Sequence, residues 1–303
     1  MSRRILLVVH PRRADAVQIA AAVIDRLTGA GLEVAMVRDD VDHIDDSRLR
    51  GAVEVAEERA AQGCELVCVL GGDGTILRGT ELARASDVPV LGVNLGHVGF
   101  LAEAERDHLE HVVERIVARD YSVEERLALQ VDVFVDGEQV ASTWALNEAT
   151  IEKASRERMI ELTLEIDDRP LSTWGCDGVI LATPTGSTAY AFSAGGPVVW
   201  PTVEAILVVP LSAHALFARP MVLSPDSTAA VELLEANQGT GVLWCDGRRM
   251  VELPRGARVE ARRADQPVRL ARLTSAPFTS RLVAKFDLSI VGWRGAARDR
   301  LRG

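Results

Sequence analysis

The residues with the clearest capacity for chemistry lie at positions 65 to 78, which read ELVCVLGGDGTILR. Three glycines in four positions let backbone N–H groups approach a ligand, and a helix beginning at Thr75 would add partial positive charge, which suits phosphate. Asp73 stands inside this turn, where it would repel an anion unless it holds a metal ion or accepts a proton from an attacking hydroxyl. The stretch predicts a phosphoryl-transfer centre around Asp73, with a structural turn aspartate as the alternative.

Two common nucleotide-binding fingerprints are absent from the chain. It contains no Gly-Lys dipeptide, which excludes a Walker-type phosphate loop, and the glycines at 71 to 74 do not follow the GxGxxG spacing. We therefore expect a different way of binding phosphate.

A second polar stretch covers positions 176 to 197 and reads CDGVILATPTGSTAYAFSAGGP. Its turn holds more hydroxyl and glycine residues than a structural turn needs. Thr185, Ser187 and Thr188 can hydrogen-bond phosphate or ribose, and Tyr190 can stack on a base. The stretch therefore predicts part of a nucleotide-binding site.

An amide and a carboxylate stand side by side at Asn147 and Glu148, between WAL and ATIEK. Such a pair can hold sugar hydroxyls, because each hydroxyl both donates and accepts a hydrogen bond. A polar surface turn is the alternative for this dipeptide on its own.

The elements that must position these residues follow two different patterns. The first hundred residues alternate apolar strands with helices, which predicts a parallel sheet with crossover helices. We expect strands at 4–9, 32–37, 66–70 and 88–93, and helices at 14–27, 53–61, 75–84 and 109–117. From 126 to 276 short runs alternate at period two, with Asp136-Gly137 as a hairpin turn, which predicts a β-rich second domain. The chain is thus expected to hold an α/β domain at 1–125 and a β domain at 126–276.

Composition and charge restrict the class of protein. The 303 residues are 48% hydrophobic and 26% charged, as in soluble globular proteins. A net charge of −10 argues against a nucleic-acid or anionic-membrane partner. No run approaches the length of a membrane span, and the start has too few apolar residues for a signal peptide, so we expect a cytoplasmic protein.

Six motifs in this order and spacing resemble the NAD kinase family over essentially the whole chain. They are GGDGT at 71–75, NE at 147–148, DGVILATPTGSTAYAFSAGGP at 177–197, AHALFARP at 213–220, CDGR at 245–248 and GWRG at 292–295. GGDGT alone also occurs in lipid kinases and phosphofructokinases, whereas its combination with NE and TPTGSTAY is specific. The sequences AFSAGGP, AHALFARP and GWRG are similar to those of the actinobacterial branch, some of whose members use inorganic polyphosphate as well as ATP.

The resemblance implies a reaction and a fold. The reaction is transfer of the terminal phosphoryl group of ATP, or of polyphosphate, to the 2′-hydroxyl of the adenosine ribose of NAD, giving NADP. The resemblance also implies Mg²⁺ or another divalent metal carried with the phosphate donor, and a homodimer or homotetramer. The implied fold has an N-terminal α/β domain, a sandwich-like all-β C-terminal domain, and a tail at 277–303 that returns to the first domain.

The same resemblance implies roles for single residues. Asp73 would accept the proton of the 2′-hydroxyl or orient that hydroxyl, and the backbone at Gly72 and Gly74 would hold the donor phosphates. Arg78 would be the cation nearest to this turn. Asn147 and Glu148 would bind ribose and diphosphate.

Further residues are expected to bind the dinucleotide by the same resemblance. Asp177 would lie on the nicotinamide side, Arg158 would be a second cation, and His214 is a candidate wall residue with a core histidine as the alternative. The segment expected around the adenosine comprises Thr188, Ala189, Tyr190, Ala191, Phe192 and Ser193. A basic residue common in the family two positions before Asp177 is Gly175 here, so positive charge must come from elsewhere or be missing.

Two other functions remain open on the sequence. A lipid or sugar kinase with the GGDGT motif would not account for NE and TPTGSTAY, and a lipid substrate would call for an apolar patch. A non-catalytic dinucleotide sensor would keep the pocket but would not need Asp73.

Overall fold

The computed structural model describes residues 3–10, 14–42, 49, 51–95, 99–105, 108–155, 158–274 and 277–290. It divides into two compact units. The first comprises Met1–Glu124 with Arg269–Gly303, and the second comprises Glu125–Val268. Among the described residues, no helix has both the length and the apolar character needed to span a bilayer.

The first unit is a sheet flanked by helices, as expected for an α/β domain. Its strands are β1 (Arg4–Val9), β2 (Glu33–Val37), β3 (Val53–Val55), β4 (Leu66–Leu70), β5 (Val90–Asn94), β6 (Ala104–Glu105), β7 (Ser122–Arg126) and β20 (Val268–Arg272). Its helices are α1 (Ala14–Gly29), α2 (Arg38–Asp42), α3 (Asp73–Arg84), α4 (Leu109–Ala118) and α6 (Phe278–Phe286).

The sheet order is β3-β2-β1-β4-β5-β20-β7, with β6 also paired to β5. Neighbouring strands from β3 to β20 in this order run parallel. Every side chain of β4 is buried, because strands in the middle of a parallel sheet are covered on both faces. The glycine-rich turn follows β4 directly and thus lies at the carboxyl edge of the sheet, where α/β folds commonly bind ligands.

The helix predicted at 53–61 is wrong. The structure places β3 at Val53–Val55, paired in parallel with β2, and a short 3₁₀ helix at Glu57–Arg59. That 3₁₀ helix buries no side chain, so no apolar face stabilises a longer helix here. Val53 and Val55 are β-branched and extend the sheet edge instead.

The second unit is built from two six-stranded antiparallel sheets. Its strands are β8 (Leu129–Val135), β9 (Glu138–Ala145), β10 (Glu148–Lys153), β11 (Ile160–Ile166), β12 (Arg169–Cys176), β13 (Gly178–Ala182), β14 (Ile206–Leu211), β15 (Met221–Leu223), β16 (Ala229–Leu233), β17 (Gly241–Cys245), β18 (Arg249–Leu253) and β19 (Arg258–Arg263). The strand order of one sheet is β15-β14-β13-β10-β17-β18 and that of the other is β12-β11-β16-β19-β8-β9. A one-turn helix, α5 (Tyr190–Ser193), follows β13. Side chains from both sheets share one core around Trp174, which confirms the sandwich-like all-β prediction.

The predicted hairpin turn at Asp136-Gly137 is confirmed. It joins β8 to β9, and both residues have positive φ, 53° and 79°. This is the geometry of a type I′ turn, which favours Asp-Gly because both central residues must adopt left-handed conformations.

The structure divides the chain differently from the prediction near the C-terminus. Positions 268 to 273 were expected in the β domain, but β20 pairs in parallel with β5 through Leu270 and Val90, so the second unit ends at Val268. A short apolar strand has the same local pattern in either sheet, and only tertiary pairing distinguishes the two. Residues 277–290 of the predicted tail belong to the first unit, where Phe278 and Phe286 pack on Phe100. The GWRG motif lies outside the described residues.

Candidate active site

The glycine turn of the first unit leaves space above the start of α3. Gly71 donates its N–H to Val93 O at 3.0 Å, which fixes the end of β4 beside β5. A side chain at Gly71 would collide with Thr75, because a Cβ there would lie 2.5 Å from its Oγ1. Gly72 and Gly74 are exposed, and a Cβ on either would meet no described atom within 4 Å. Packing therefore does not require these two glycines, and the bare backbone at the helix N-terminus suits an anion.

Asp73 is the first residue of α3, and its carboxylate is held by backbone donors from another segment. Oδ2 accepts from Phe100 N at 3.2 Å and Oδ1 accepts from Leu101 N at 3.3 Å. Gly99 lies so close that a Cβ on it would be 2.3 Å from Oδ1. The carboxylate is half-buried and oriented, which a plain turn residue would not need.

The cation predicted nearest to this turn is engaged within the first unit. Arg78 donates from Nη1 to both carboxylate oxygens of Asp40, at 2.6 and 2.8 Å, and its Nη2 lies 3.7 Å from Glu57. Asp40 is buried, so this pair is shielded from solvent. A contact between Arg78 and a ligand stays a prediction.

In the second unit, one buried aspartate organises the Asn147-Glu148 dipeptide. Asp246 accepts from three successive backbone N–H groups, those of Leu146, Asn147 and Glu148, at 3.0, 2.7 and 3.4 Å. Its own N–H donates to Glu148 O at 2.9 Å, and Arg249 Nη2 donates to its carboxylate at 2.8 Å. The pairing of β10 with β17 brings these distant positions together.

Glu148 is a buried carboxyl group with an unused oxygen. Burial raises its pKa to about 8, and the charge of Asp246 adds to the effect, while a hydrogen bond from the Tyr190 N–H opposes it. Within the described chain, Oε2 has no hydrogen-bond partner. A carboxyl group in this state can donate a hydrogen bond near neutral pH as well as accept one.

A groove near Glu148 is lined by two of the predicted residues, Asp177 and Tyr190, and the Tyr190 N–H donates to Glu148. The groove has a volume of about 340 Å³ and is lined by Glu152, Lys153, Ala154, Ser155, Asp177, Tyr190, Leu211 and Ser212. Lys153 Nζ lies 2.5 Å from Asp177 Oδ1. That ion pair is the main reason that the pKa of Asp177 lies below its ordinary value, and Ser212 and His214 act in the same direction.

Lys153 places a positive charge beside Asp177, two positions after Gly175. It lies on β10 at the junction of this groove with a second one of about 370 Å³, which Arg158 also lines. Gly175 contributes only backbone here, since its carbonyl accepts from His214 N at 2.8 Å. His214 is exposed, which excludes the alternative of a core histidine.

The predicted hydroxyl-rich turn serves partly as internal scaffold. Ser187 is fully buried and donates to Pro184 O at 2.7 Å, and Thr185 is also buried, so the structure gives no direct support for their predicted ligand contacts, which stay predictions. Thr188 donates to Thr185 O at 3.2 Å. Gly186 is required by packing, because a Cβ there would lie 1.9 Å from Asn147 O.

The residues after this turn differ in exposure. Ala191 is buried in a small core cluster with Ile180, Ala182, Leu207 and Val209, so its side chain packs rather than facing a ligand. Tyr190, Phe192 and Ser193 are exposed, and Ala189 is half-buried. The open side chains therefore begin at Tyr190, on the wall of the groove.

Several functional candidates were missed from the sequence. Asp246 belongs to the CDGR motif quoted above, and the Asp-Gly dipeptide in that motif is the sequence signal that could have identified it. No local signal identifies Lys153, or Phe100 and Leu101 as donors to Asp73, because these contacts join distant positions.

Two family models and several named relatives match this chain. The family model described as the ATP-NAD kinase N-terminal domain matches residues 5–121, and that of the ATP-NAD kinase C-terminal domain matches residues 146–273. A protein named NAD kinase from Thermobifida fusca (strain YX) is 59% identical, covering 100% of this chain and 94% of its own length. NAD kinase 2 from Streptomyces coelicolor is 59% identical over 97% of both chains. NAD kinase from Rhodococcus opacus (strain B4) is 53% identical, over 97% of this chain and 95% of its own.

Two solved structures share the fold. Yeast NADH kinase complexed with NADH has a TM-score of 0.86 at 24% identity, covering 95% of this chain and 89% of its own. An NAD kinase from Archaeoglobus fulgidus in complex with ATP has a TM-score of 0.71 at 24% identity, covering 95% and 99%. Both domain matches, the relatives of nearly full length and the two-unit fold agree with the motifs that contain Asp73 and Asp246. The chain therefore belongs to the ATP-NAD kinase family.

Proposed function

We propose that the protein phosphorylates NAD at the 2′-hydroxyl of its adenosine ribose, giving NADP. The observation that carries the proposal is the Asp73 carboxylate, oriented by two N–H groups at the start of α3 beside two open glycines. Relatives that match this chain over nearly its full length are named NAD kinases, and these names indicate NAD as the substrate.

In the first unit, the proposed chemistry is positioning and charge stabilisation. Phosphoryl transfer passes through a loose transition state, so the protein chiefly aligns the groups and stabilises charge. The backbone N–H groups at Gly72 and Gly74 receive the donor phosphates at the N-terminus of α3. Asp73 accepts the proton of the 2′-hydroxyl, or orients that hydroxyl, as phosphoryl transfer proceeds.

In the second unit, the proposed role is to hold the dinucleotide. Glu148 offers a buried carboxyl group that can form a hydrogen bond with a ribose hydroxyl. Asn147 lies beside it and donates its backbone N–H to Asp246. Tyr190 is exposed on the groove wall and can stack on a ring of the ligand. Lys153 and Asp177 form an ion pair in the groove. Arg158 and His214 are exposed and are further candidates for contacts with the ligand.

Magnesium belongs to the proposal as a companion of the donor. Among the described residues, no group of three or more His, Cys, Asp or Glu side chains is placed to hold a metal ion. We propose that Mg²⁺, or another divalent ion, enters bound to the phosphates of ATP or inorganic polyphosphate. Both donors are candidates. We also propose a cytoplasmic enzyme that forms a homodimer or homotetramer, as the family resemblance implies.

The test is an assay of purified protein with NAD and Mg²⁺ plus ATP in one arm and polyphosphate in the other. We expect NADP in at least the ATP arm. Matched arms replace NAD with diacylglycerol or a sugar. Turnover of one of these acceptors without NADP would assign the protein to another GGDGT kinase, and tight NAD binding without NADP from either donor would assign it to a sensor.

A further inference from the structure

The carboxylate of Asp73 is held by one short segment, Gly99 to Glu103. The N–H groups of Phe100 and Leu101 donate to its two oxygens at 3.2 and 3.3 Å, and Gly99 packs directly against it. Both distances are at the long end of the N–H···O range, and such bonds often tighten in the working complex. The direction of the carboxylate therefore depends on where this segment lies.

One arginine of the C-terminal helix binds the same segment. Arg281, on α6, donates from Nη1 to Phe100 O at 3.0 Å and to Ala102 O at 3.1 Å. Its Nη2 donates to the Glu103 carboxylate at 2.6 Å. A single guanidinium thus contacts three acceptors within four consecutive residues.

The peptide group between Phe100 and Leu101 connects Arg281 to Asp73. Its carbonyl accepts from the guanidinium and its N–H donates to Asp73 Oδ1. Hydrogen bonds at the two ends of one peptide group polarise each other, so a cation at the carbonyl strengthens the N–H as a donor. Arg281 therefore acts on the carboxylate both by fixing the position of the peptide and by polarising it.

Glu103 fixes Arg281 in turn. Its side chain is fully buried and also accepts from Arg272 Nη1 at 3.1 Å, from Leu273 N at 3.1 Å and from Thr274 N at 2.9 Å. Burial lowers the pKa of Arg281, and repulsion from Arg272 adds to this, while Glu103 opposes both. Buried ion pairs are weak contributors to stability compared with apolar packing, so this cluster calls for a reason other than stability.

We propose that Arg281 is a positioning residue for Asp73, acting through the Phe100–Leu101 peptide group. The proposal rests on the proposed function, because it assumes that Asp73 works in catalysis. Loss of the guanidinium frees the segment on the side away from the carboxylate. The carboxylate then samples unproductive directions, which lowers kcat while leaving the dinucleotide-binding residues of the second unit in place.

The expected size follows from positioning effects in general. Misplacing a reacting group by about 1 Å can cost on the order of 100-fold in rate. We expect Arg281→Met to lower kcat by about 10- to 100-fold, with a change in KM for NAD of less than about 3-fold. Arg281→Lys keeps the charge opposite Glu103 but cannot contact three acceptors at once, so it should lie between wild type and Arg281→Met.

The experiment is a double-mutant cycle with Asp73→Asn, which separates a role through Asp73 from general destabilisation. Wild type, Arg281→Met, Asp73→Asn and the double variant are compared for kcat and KM after thermal unfolding shows that each is folded. If Arg281 acts through Asp73, adding Arg281→Met to Asp73→Asn changes kcat by less than about 3-fold. Arg26→Gln is the matched control, since it breaks an exposed ion pair with Glu110 in the same unit, and its kcat should be that of wild type.

Two results would overturn the inference. One is a folded Arg281→Met with wild-type kcat, and the other is a kcat loss as large in the Asp73→Asn background as in wild type. If Arg281→Met does not fold, the cycle is run with Arg281→Lys and judged by the same criterion of non-additivity. Failure of the proposed function looks different, because wild type would make no NADP or Asp73→Asn alone would keep near-normal turnover.

Discussion

The ammonium group of Lys153 lies 2.5 Å from Asp177 Oδ1, although two strands, β11 and β12, separate these residues in the chain. Lys153 ends β10, and Asp177 lies between β12 and β13, so antiparallel pairing of β10 with β13 brings them together. The pair places a cation in the groove that Tyr190 also lines.

Lys153→Met should weaken dinucleotide binding. It removes the cation at the edge of the groove and leaves Asp177 without its counter-charge. We expect KM for NAD to rise about 10- to 150-fold with a much smaller change in kcat, because one charge-assisted hydrogen bond contributes about 1.5 to 3 kcal/mol. Steady-state kinetics measure this. Arg262→Gln is the control, since it breaks a half-exposed ion pair with Asp132 elsewhere in the second unit. An unchanged KM would exclude Lys153 from ligand binding.

Glu148 should make stability depend on pH in the protein without ligand. Its pKa is 4.5 ordinarily and about 8 when folded, so between these values the unfolded chain is ionised while the folded protein keeps the proton. The free energy of unfolding therefore falls as pH rises from about 4.5 to about 8. Glu148→Gln lacks this titration, and its stability should exceed that of wild type increasingly over this range, by an amount on the order of a few kcal/mol at pH 8.

Urea unfolding at pH 5, 6.5 and 8 measures the effect of Glu148. Exposed Glu138→Gln serves as the control and should follow wild type at each pH. Parallel pH profiles for wild type and Glu148→Gln would show that the Glu148 carboxyl group is not held protonated by the fold.

Asp246→Asn should disturb the Asn147-Glu148 dipeptide from a distance. The amide would present N–H groups toward backbone N–H donors and Arg249, which leaves buried groups without partners. We expect a loss of about 2 to 4 kcal/mol in the free energy of unfolding and a raised KM for NAD. Asp136→Asn is a matched control, because Asp136 also starts an Asp-Gly hairpin turn with positive φ but is exposed. If both substitutions change the free energy of unfolding and KM equally and only slightly, Asp246 is an ordinary turn residue.

Asp73→Asn separates a catalytic role from a structural one. Asn keeps the volume and tolerates the same backbone conformation, so the fold should survive. A lost general base should cost on the order of 10² to 10⁴ in kcat, while NAD affinity changes little. The measurement pairs kcat with NAD binding by calorimetry. Near-normal turnover in the folded variant would remove Asp73 from the mechanism.

Tyr190→Ala should act mainly on substrate affinity. Tyr190 is 40% exposed, so its loss leaves the core intact. Stacking contributes equally to the bound substrate and the transition state, and we therefore expect a higher KM for NAD with kcat nearly unchanged. A variant with normal KM and a lowered melting temperature would instead indicate a packing role.

The sequence by itself determined the local features of this protein. Most strands and helices of the first unit, the Asp136-Gly137 hairpin and the β-rich character of the second unit follow from periodicity and turn chemistry, which act between near neighbours. The order of GGDGT, NE and TPTGSTAY was enough to recognise the family. The helix predicted at 53–61 failed because pairing with β2, a non-local contact, favoured a short strand.

Only the tertiary structure decided which partners the functional residues have. Asp73 receives its donors from positions 27 and 28 residues away, and Asp246 reaches across 98 to 100 residues to the Asn147-Glu148 dipeptide. β20 joins the parallel sheet although its local pattern suits either unit. Arg78 is captured by Asp40, 38 residues away, while Lys153 meets Asp177. Such contacts depend on strand order and chain crossing, which periodicity and composition do not encode.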